Sequence, residues 1–323
     1  MSTLSGSAVA ELLATMLPAP VTVERMDPLS GGASADTWAL DVLDGAGTAH
    51  ALIVRRGAGR GGVSLGLDAR VEPLVQRAAG AAGVPVAEVV AIFDDEALGT
   101  GYLMRRLIGE TIPRKLSRDP SYATALSRLA GDAAAALAAV HAVPLDSLPP
   151  MPSLPAAGQL ALLESLHRSI GQPVPTFELG LRWLHDHLPA PVPECLVHGD
   201  FRMGNFLLST EGLVAVLDWE LAHLGDPMED IAWLCTRAWR FGGPGEVGGF
   251  AARADFYRAY GAVDVERVRF WEVLCALKWG VICQLQSFVH LRGELPSVER
   301  AAIGRRVTET ELDLLLALEE SHA

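Results

Sequence analysis

Runs of basic side chains are missing from this 323-residue chain, where 26 Lys and Arg stand against 39 Asp and Glu for a formal net charge of -13. Nucleic acid and anionic membrane surfaces are held by clustered cations, so the balance argues against both as partners and favours a small neutral or cationic molecule. Cysteine is scarce as well. Cys195, Cys235, Cys275 and Cys283 are scattered through apolar contexts without C-x-x-C spacing, which argues against a zinc site or a disulfide framework and for reduced, buried thiols. No stretch approaches ~18 uninterrupted apolar residues, and MSTLSGSAVAELLATML has no basic segment ahead of an apolar core, so a cytoplasmic protein is expected. No internal repeat is visible.

What is present divides into two kinds of periodicity. Half of the residues are hydrophobic and a fifth are charged, enough to fold, and the length favours two packed lobes. Alternating apolar segments at 21–26, 37–43 and 49–56 read as strands, followed by a helix around 67–81 and a strand pair through GVPVAEVVAIF and YLMRRLI. From about residue 118 the spacing changes to three and four. Helices are predicted at 122–143, 159–170 and 178–188, then a hairpin over 206–220, then long helices from 251 onward. The last of these, TETELDLLLALEE, suits internal packing or a partner equally well, so the oligomeric state is not set by the sequence. The run GAGRGG at 57–62 fits G-x-G-x-x-G, but no helix opens at its glycines and no βαβ unit surrounds it. A surface loop is the better account.

The segment LVHGDFRMGNFLL (196–208) places His198, Asp200 and Asn205 between two apolar runs. Gly, Asp and Asn are turn formers, so a tight turn is one reading. The hairpin that follows gives another, because it returns Asp218 toward Asp200 and Asn205. Carboxylate and amide oxygens suit Mg²⁺, which takes substrate phosphates and water as its remaining ligands, and Asp200 would be left to accept a proton. A rival reading makes His198, Asp200, Asp218 and His223 the ligands of a metal-dependent hydrolase, although Asn205 would then have no purpose.

H-G-D-x-x-x-x-N followed by a strand and D-W-E resembles the catalytic core of the aminoglycoside/choline kinase-like phosphotransferases, relatives of the protein kinases. GDPMEDIAWL (225–234) adds a second family element, and the combination is most similar to the branch associated with acyl-CoA dehydrogenases. The resemblance implies an α+β, protein-kinase-like two-lobed fold: a small antiparallel β-sheet lobe with one helix over residues 1–106 and a larger, mostly helical lobe over 107–323. It implies transfer of the γ-phosphate of ATP or GTP to a hydroxyl on a small-molecule acceptor, with Mg²⁺. Asp200 takes the role of catalytic base, Asn205 and Asp218 those of metal ligands. His198 braces the loop and Asp230 caps it. Glu220 is either a further metal or substrate contact or a solvated strand-end carboxylate.

The resemblance also places a phosphate clamp at Ser30, Gly31, Gly32, Ala33 and Ser34, a cluster that in isolation would read as a hairpin turn. Arg55 stands where these enzymes generally carry Lys, and a guanidinium can hold phosphate oxygens bidentately. Glu72 is its candidate partner, or else part of a solvated helix face. The nucleotide base would lie against residues 102–110, with Met104 behind it or simply in the core, and Arg106 beside it. Lys278 within an apolar helix either snorkels or favours an acceptor with a carboxylate or a CoA phosphate, which would point to a hydroxyacyl compound. An aminoglycoside or choline-type acceptor, and a non-catalytic nucleotide-binding protein, remain as alternatives.

Overall fold

Alternation of apolar and polar residues in the first hundred positions is resolved as one twisted antiparallel sheet. The computed structural model describes residues 5–29, 35–57, 66–96 and 98–321. After helix α1 (Gly6–Ala14) come β1 (Thr22–Pro28), β2 (Ala35–Leu43), β3 (Ala49–Gly57), α2 (Glu72–Ala81), β4 (Val89–Asp95) and β5 (Gly99–Arg105), with the strands ordered β1-β2-β3-β5-β4. The β3–β5 register sets Arg55 opposite Tyr102 and Ile53 opposite Met104. One face of the sheet buries Leu40, Val42, Leu52, Val54 and Leu103 against Val9 and Leu13 of α1. This lobe therefore carries two helices where the sequence reading expected one. Ser5 caps α1 by accepting from Ala8 N–H, a start signal in the first residues that the reading passed over. Helix α2 starts at Glu72 rather than near 67: Pro73 suits a first turn, and Leu67 N–H is engaged by Glu220 O of the other lobe.

The connection out of β5 is short. Arg106 N–H still bonds Ala51 O, while Glu110 and Leu208 exchange both backbone hydrogen bonds. The second lobe then runs α3 (Pro113–Leu116), α4 (Ala123–His141), α5 (Ala156–Ile170), α6 (Pro175–Asp186), β6 (Cys195–Val197), β7 (Phe206–Leu208), β8 (Leu213–Val216), β9 (His223–Gly225), α7 (Met228–Cys235), α8 (Arg253–Tyr260), α9 (Val265–Leu291), α10 (Val298–Gly304) and α11 (Val307–Ser321). Two small antiparallel pairs, β6–β9 and β7–β8, are set among the helices. The helical stretch expected from 251 onward is cut into four; Gly261, at φ 111°, ends α8 in a conformation that L side chains avoid.

Helix α9 is the hub, packed by α5, α6, α7, α10 and α11. It is long and apolar enough to cross a membrane, yet its Glu272 and Lys278 are paired inside the lobe with Arg253 and Glu229. A helix apolar on every side and surrounded by others is a core element. All four cysteines are unpaired. Burial pushes the thiols of Cys195, Cys235 and Cys283 up to about 12, which keeps them protonated and poorly nucleophilic.

Candidate active site

Strand β6 delivers the chain to His198, and the turn that follows depends on backbone chemistry. Gly199 has φ 79°, and a Cβ there would lie 2.4 Å from Leu221 O, so no other residue fits without displacement. The loop's amides are collected by Asp230 in the first turn of α7. Its Oδ2 accepts from His198 N–H at 2.7 Å, its Oδ1 accepts from Gly199 N–H at 2.9 Å, and the carboxylate is wholly buried. His141 Nε2 approaches the same Oδ2 at 3.1 Å, while its Nδ1 meets Tyr260 Oη at 2.7 Å.

The His198 ring accepts the Asp200 N–H on Nδ1 (3.2 Å) and donates from Nε2 to Leu217 O (3.1 Å). That pattern is the neutral Nε2–H tautomer. Burial lowers its pKa further and outweighs the neighbouring acids. The imidazole thus ties the loop to the end of β8.

Asp200 is almost enclosed. Its Oδ1 accepts from Trp233 Nε1 and from Arg202 Nε, both at 2.8 Å, and its Oδ2 accepts from Asn205 Nδ2 at 2.6 Å. Asn205 Nδ2 also donates to Asp200 O at 2.9 Å. With the amide nitrogen so engaged, Asn205 Oδ1 is left without a hydrogen bond to any described residue. Leu217 N–H bonds Asn205 O at 2.9 Å, which brings the next residue, Asp218, beside it. Asp218 holds φ 67°, ψ 69° without being glycine, a strain on the order of 1 kcal/mol of the kind stored at functional sites. The fully buried Trp219 anchors the turn through Nε1 to Val216 O at 3.2 Å.

From the other lobe Arg55 reaches into the same place. Its Nη2 donates to Asp218 Oδ1 at 2.6 Å and Glu220 Oε2 at 2.9 Å, and its Nε lies 3.3 Å from Glu72 Oε1. Tyr102 Oη donates to Glu72 Oε1 at 3.1 Å. Burial pushes Glu72 up to about 7 against the pull of Arg55. Burial also opposes the Arg55 charge, but Glu72, Asp218 and Glu220 outweigh it and keep the guanidinium ionised. Three acids, Glu72, Asp218 and Glu220, thus face the Arg55 guanidinium.

Residues 25–271 match the sequence model of the APH family, the phosphotransferase enzyme family. The chain belongs to that family. The chain is 31% identical over 184 residues to acyl-CoA dehydrogenase family member 10 of Mus musculus, a match covering 50% of this chain and 16% of that much longer protein. Among solved structures, a provisionally named aminoglycoside phosphotransferase of Ralstonia eutropha superposes with a TM-score of 0.74 at 20% identity, over 98% of this chain and 99% of that one. A thermostable mutant of aminoglycoside phosphotransferase APH(4)-Ia, in ternary complex with AMP-PNP and hygromycin B, gives 0.63 at 19% identity, over 95% and 98%. The fold is the two-lobed α+β kinase-like fold.

Within this family member the expected site residues separate into groups. Asp200, Asn205, Asp218, Glu220, His198, Asp230, Arg55 and Glu72 are brought together as described. Ser30, Gly31, Gly32, Ala33 and Ser34 lie outside the described residues. Met104 stands over α2, its Sδ 3.9 Å from Gln76 Nε2. Arg106 is ion-paired with Asp41 of β2. Lys278 is partnered within the helical lobe. Its Nζ donates to Glu229 Oε1 at 3.1 Å and lies 5.0 Å from the centre of the Trp233 ring, so its charge is engaged inside the lobe.

Glu229 is the centre of a buried network. Burial pushes its pKa up, but His223 and Lys278 outweigh that and hold it at about 2, while Glu229 in turn raises His223 against burial. His223 donates from Nε2 to Glu229 Oε2 at 3.0 Å and from Nδ1 to Leu221 O at 2.9 Å. Neither His198 nor His223 has a ring nitrogen to spare for a metal, which removes the hydrolase reading.

Sequence reasoning passed over Trp233 and Arg202 as partners of Asp200, Tyr102 behind Glu72, and His141 behind Asp230. A signal existed for one of them: Trp233 follows Asp230 by three positions on α7, on the same helix face. Arg202 is a motif position. For Tyr102 and His141 only the strand register and the helix packing could tell.

Proposed function

We propose that the protein transfers the γ-phosphoryl group of ATP, with GTP as the alternative donor, to a hydroxyl of a small molecule, a hydroxyacyl compound being the favoured acceptor. The observation that carries this is the convergence of Asp200, the Asn205 amide, Asp218 and the Arg55 guanidinium at the cleft between the lobes. Nucleotide and acceptor are both bound by the APH(4)-Ia protein of the same fold, as AMP-PNP and hygromycin B. The hydroxyacyl acceptor rests on likeness to an acyl-CoA dehydrogenase family member.

A loose phosphoryl-transfer transition state asks the protein for alignment and charge compensation rather than covalent chemistry. Asp200 receives the acceptor hydroxyl, orients it and takes its proton. Arg55 holds phosphate oxygens from the small lobe; its Nη1 makes no hydrogen bond to a described residue and is the atom placed to do so. The described residues contain no group of three or more His, Cys, Asp or Glu suited to a metal, while Asn205 Oδ1 and the Asp218 carboxylate are hard oxygen donors. Two protein ligands of this type fit Mg²⁺, which keeps water and phosphate oxygens for the rest and would neutralise the charge on the phosphates when bound.

The test is an acceptor screen by ATP consumption comparing hydroxyacyl-CoA esters, aminoglycosides and choline, with GTP in parallel and Asp200→Asn beside the natural protein. Turnover of the hydroxyacyl esters, lost in Asp200→Asn, is the expected result. Preference for aminoglycosides or choline overturns the acceptor assignment, and nucleotide binding without turnover of any acceptor overturns catalysis.

A further inference from the structure

The two oxygens of Asp200 are not equivalent. A carboxylate offers about four lone-pair sites. On Oδ1 both are taken, by Trp233 Nε1–H and Arg202 Nε–H at 2.8 Å. On Oδ2 Asn205 Nδ2 takes one and leaves one. We infer that Trp233 and Arg202 are positioning residues that fix the rotation of the Asp200 carboxylate and so make Oδ2 the oxygen that receives the acceptor proton. The inference rests on Asp200 being the base. In the step it serves, the acceptor oxygen bonds to phosphorus as its proton passes to Oδ2, and the bridging oxygen of the nucleoside diphosphate leaves with the electron pair of the broken P–O bond.

The surroundings of Trp233 keep its N–H where it is. Its ring is 2% exposed and packs against Trp239 at 5.2 Å between centroids. Over one face lies the Lys278 ammonium, held by Glu229. A cation on the face of an indole draws electron density from the ring and strengthens the N–H as a donor. Arg202 is steadied in a similar way, its Cζ 4.6 Å from the centre of the Trp239 ring, with the guanidinium's η nitrogens unbonded to described residues. The same α7 face thus supplies Asp230 to the loop backbone and Trp233 to the side chain of the base. Were the carboxylate free to turn, the open lone pair would point at the acceptor for only part of the time.

Trp233→Phe removes the N–H and keeps an aromatic face for Lys278; Arg202→Met removes the second donor. Each should lower kcat about tenfold, the worth of one hydrogen bond to a charged group, with the KM for ATP and for the screened acceptor changed by less than about twofold. The double variant should lose more than either. Asp200→Asn, measured in parallel, separates the failures. If Asp200→Asn turns over, the base assignment falls. If Asp200→Asn is inactive and both single variants keep the natural kcat, or lose it only with a matching rise in both KM values, the positioning role alone is overturned. Should Trp233→Phe fail to fold by thermal melting, Arg202→Met decides the question by itself.

Discussion

Arg55 Nη2 and Asp218 Oδ1, 163 positions apart in the chain, meet at 2.6 Å. The contact joins the sheet lobe to the helical lobe through two residues that the proposed reaction would use on the nucleotide. Arg55 is therefore a fastener between lobes, and in the proposed reaction it would also be the cation for the phosphates.

Arg55→Met should leave Glu72, Asp218 and Glu220 without their common counter-charge. Loss of stability should be about 1–3 kcal/mol, moderated by protonation of Glu72, and the KM for ATP should rise. Arg55→Lys should keep part of the stability but not the forked contact. Urea unfolding with unchanged slope, together with ATP kinetics, reads both effects; a natural KM in Arg55→Met would remove the residue from phosphate binding.

Asp230→Ala strips His198 N–H and Gly199 N–H of their acceptor in a site that water does not reach. Each buried donor left without a partner costs roughly 1–3 kcal/mol, so a large fall in the urea midpoint is expected. The loop carrying Asp200 should loosen with it, lowering kcat in whatever enzyme stays folded.

Gly199→Ala should be no milder. The added carbon would sit 2.4 Å from Leu221 O on a backbone at φ 79°, so both the contact and the conformation are unfavourable. A fall in melting temperature together with lost turnover is expected; a natural melting temperature would show that the turn can rebuild.

The Glu229 network predicts a pH dependence of stability with two limbs. Glu229 is depressed from 4.5 to about 2 in the folded chain, so its contribution is complete above pH 4.5 and is lost as pH falls toward about 2. His223 is raised above 6.5, so its contribution is complete below pH 6.5 and is lost as pH climbs through the raised value. Stability from this network should be greatest between the two. Glu229→Gln should flatten both limbs and, by stranding Lys278 and His223, cost about 3–5 kcal/mol. Urea unfolding across pH 3 to 9 checks the shape.

The sequence carried the catalytic loop because its chemistry is local: His198 through Asn205 lie within eight positions, and the β7–β8 hairpin returns Asp218 by a short route. The succession of strands and helix along the first lobe followed from period-two segments, though not the order in which the strands pair. The rest depended on distant partners. Lys278 looked available because an apolar helix offers a lysine nothing, and only α7 packed on α9 brings Glu229 to it. The pairing of Arg106 with Asp41 likewise follows only from the sheet register. The role of Trp233 was not legible, since nothing in its neighbours along the chain says where an indole N–H will point.

The connection between the lobes has a mechanical consequence. Arg106 is still tied to Ala51 through its amide, and Glu110 is already paired in both directions with Leu208. Any swivelling of one half of the molecule against the other would have to turn about Leu107, Ile108 and Gly109 and also break the Arg55 contacts to Asp218 and Glu220, the Leu67–Glu220 and Val216–Pro85 backbone bonds and the apolar packing of Val75 and Ala79. The two halves are thus clamped at several points on one side of a link only three residues long, and a rigid-body opening would release all of them together.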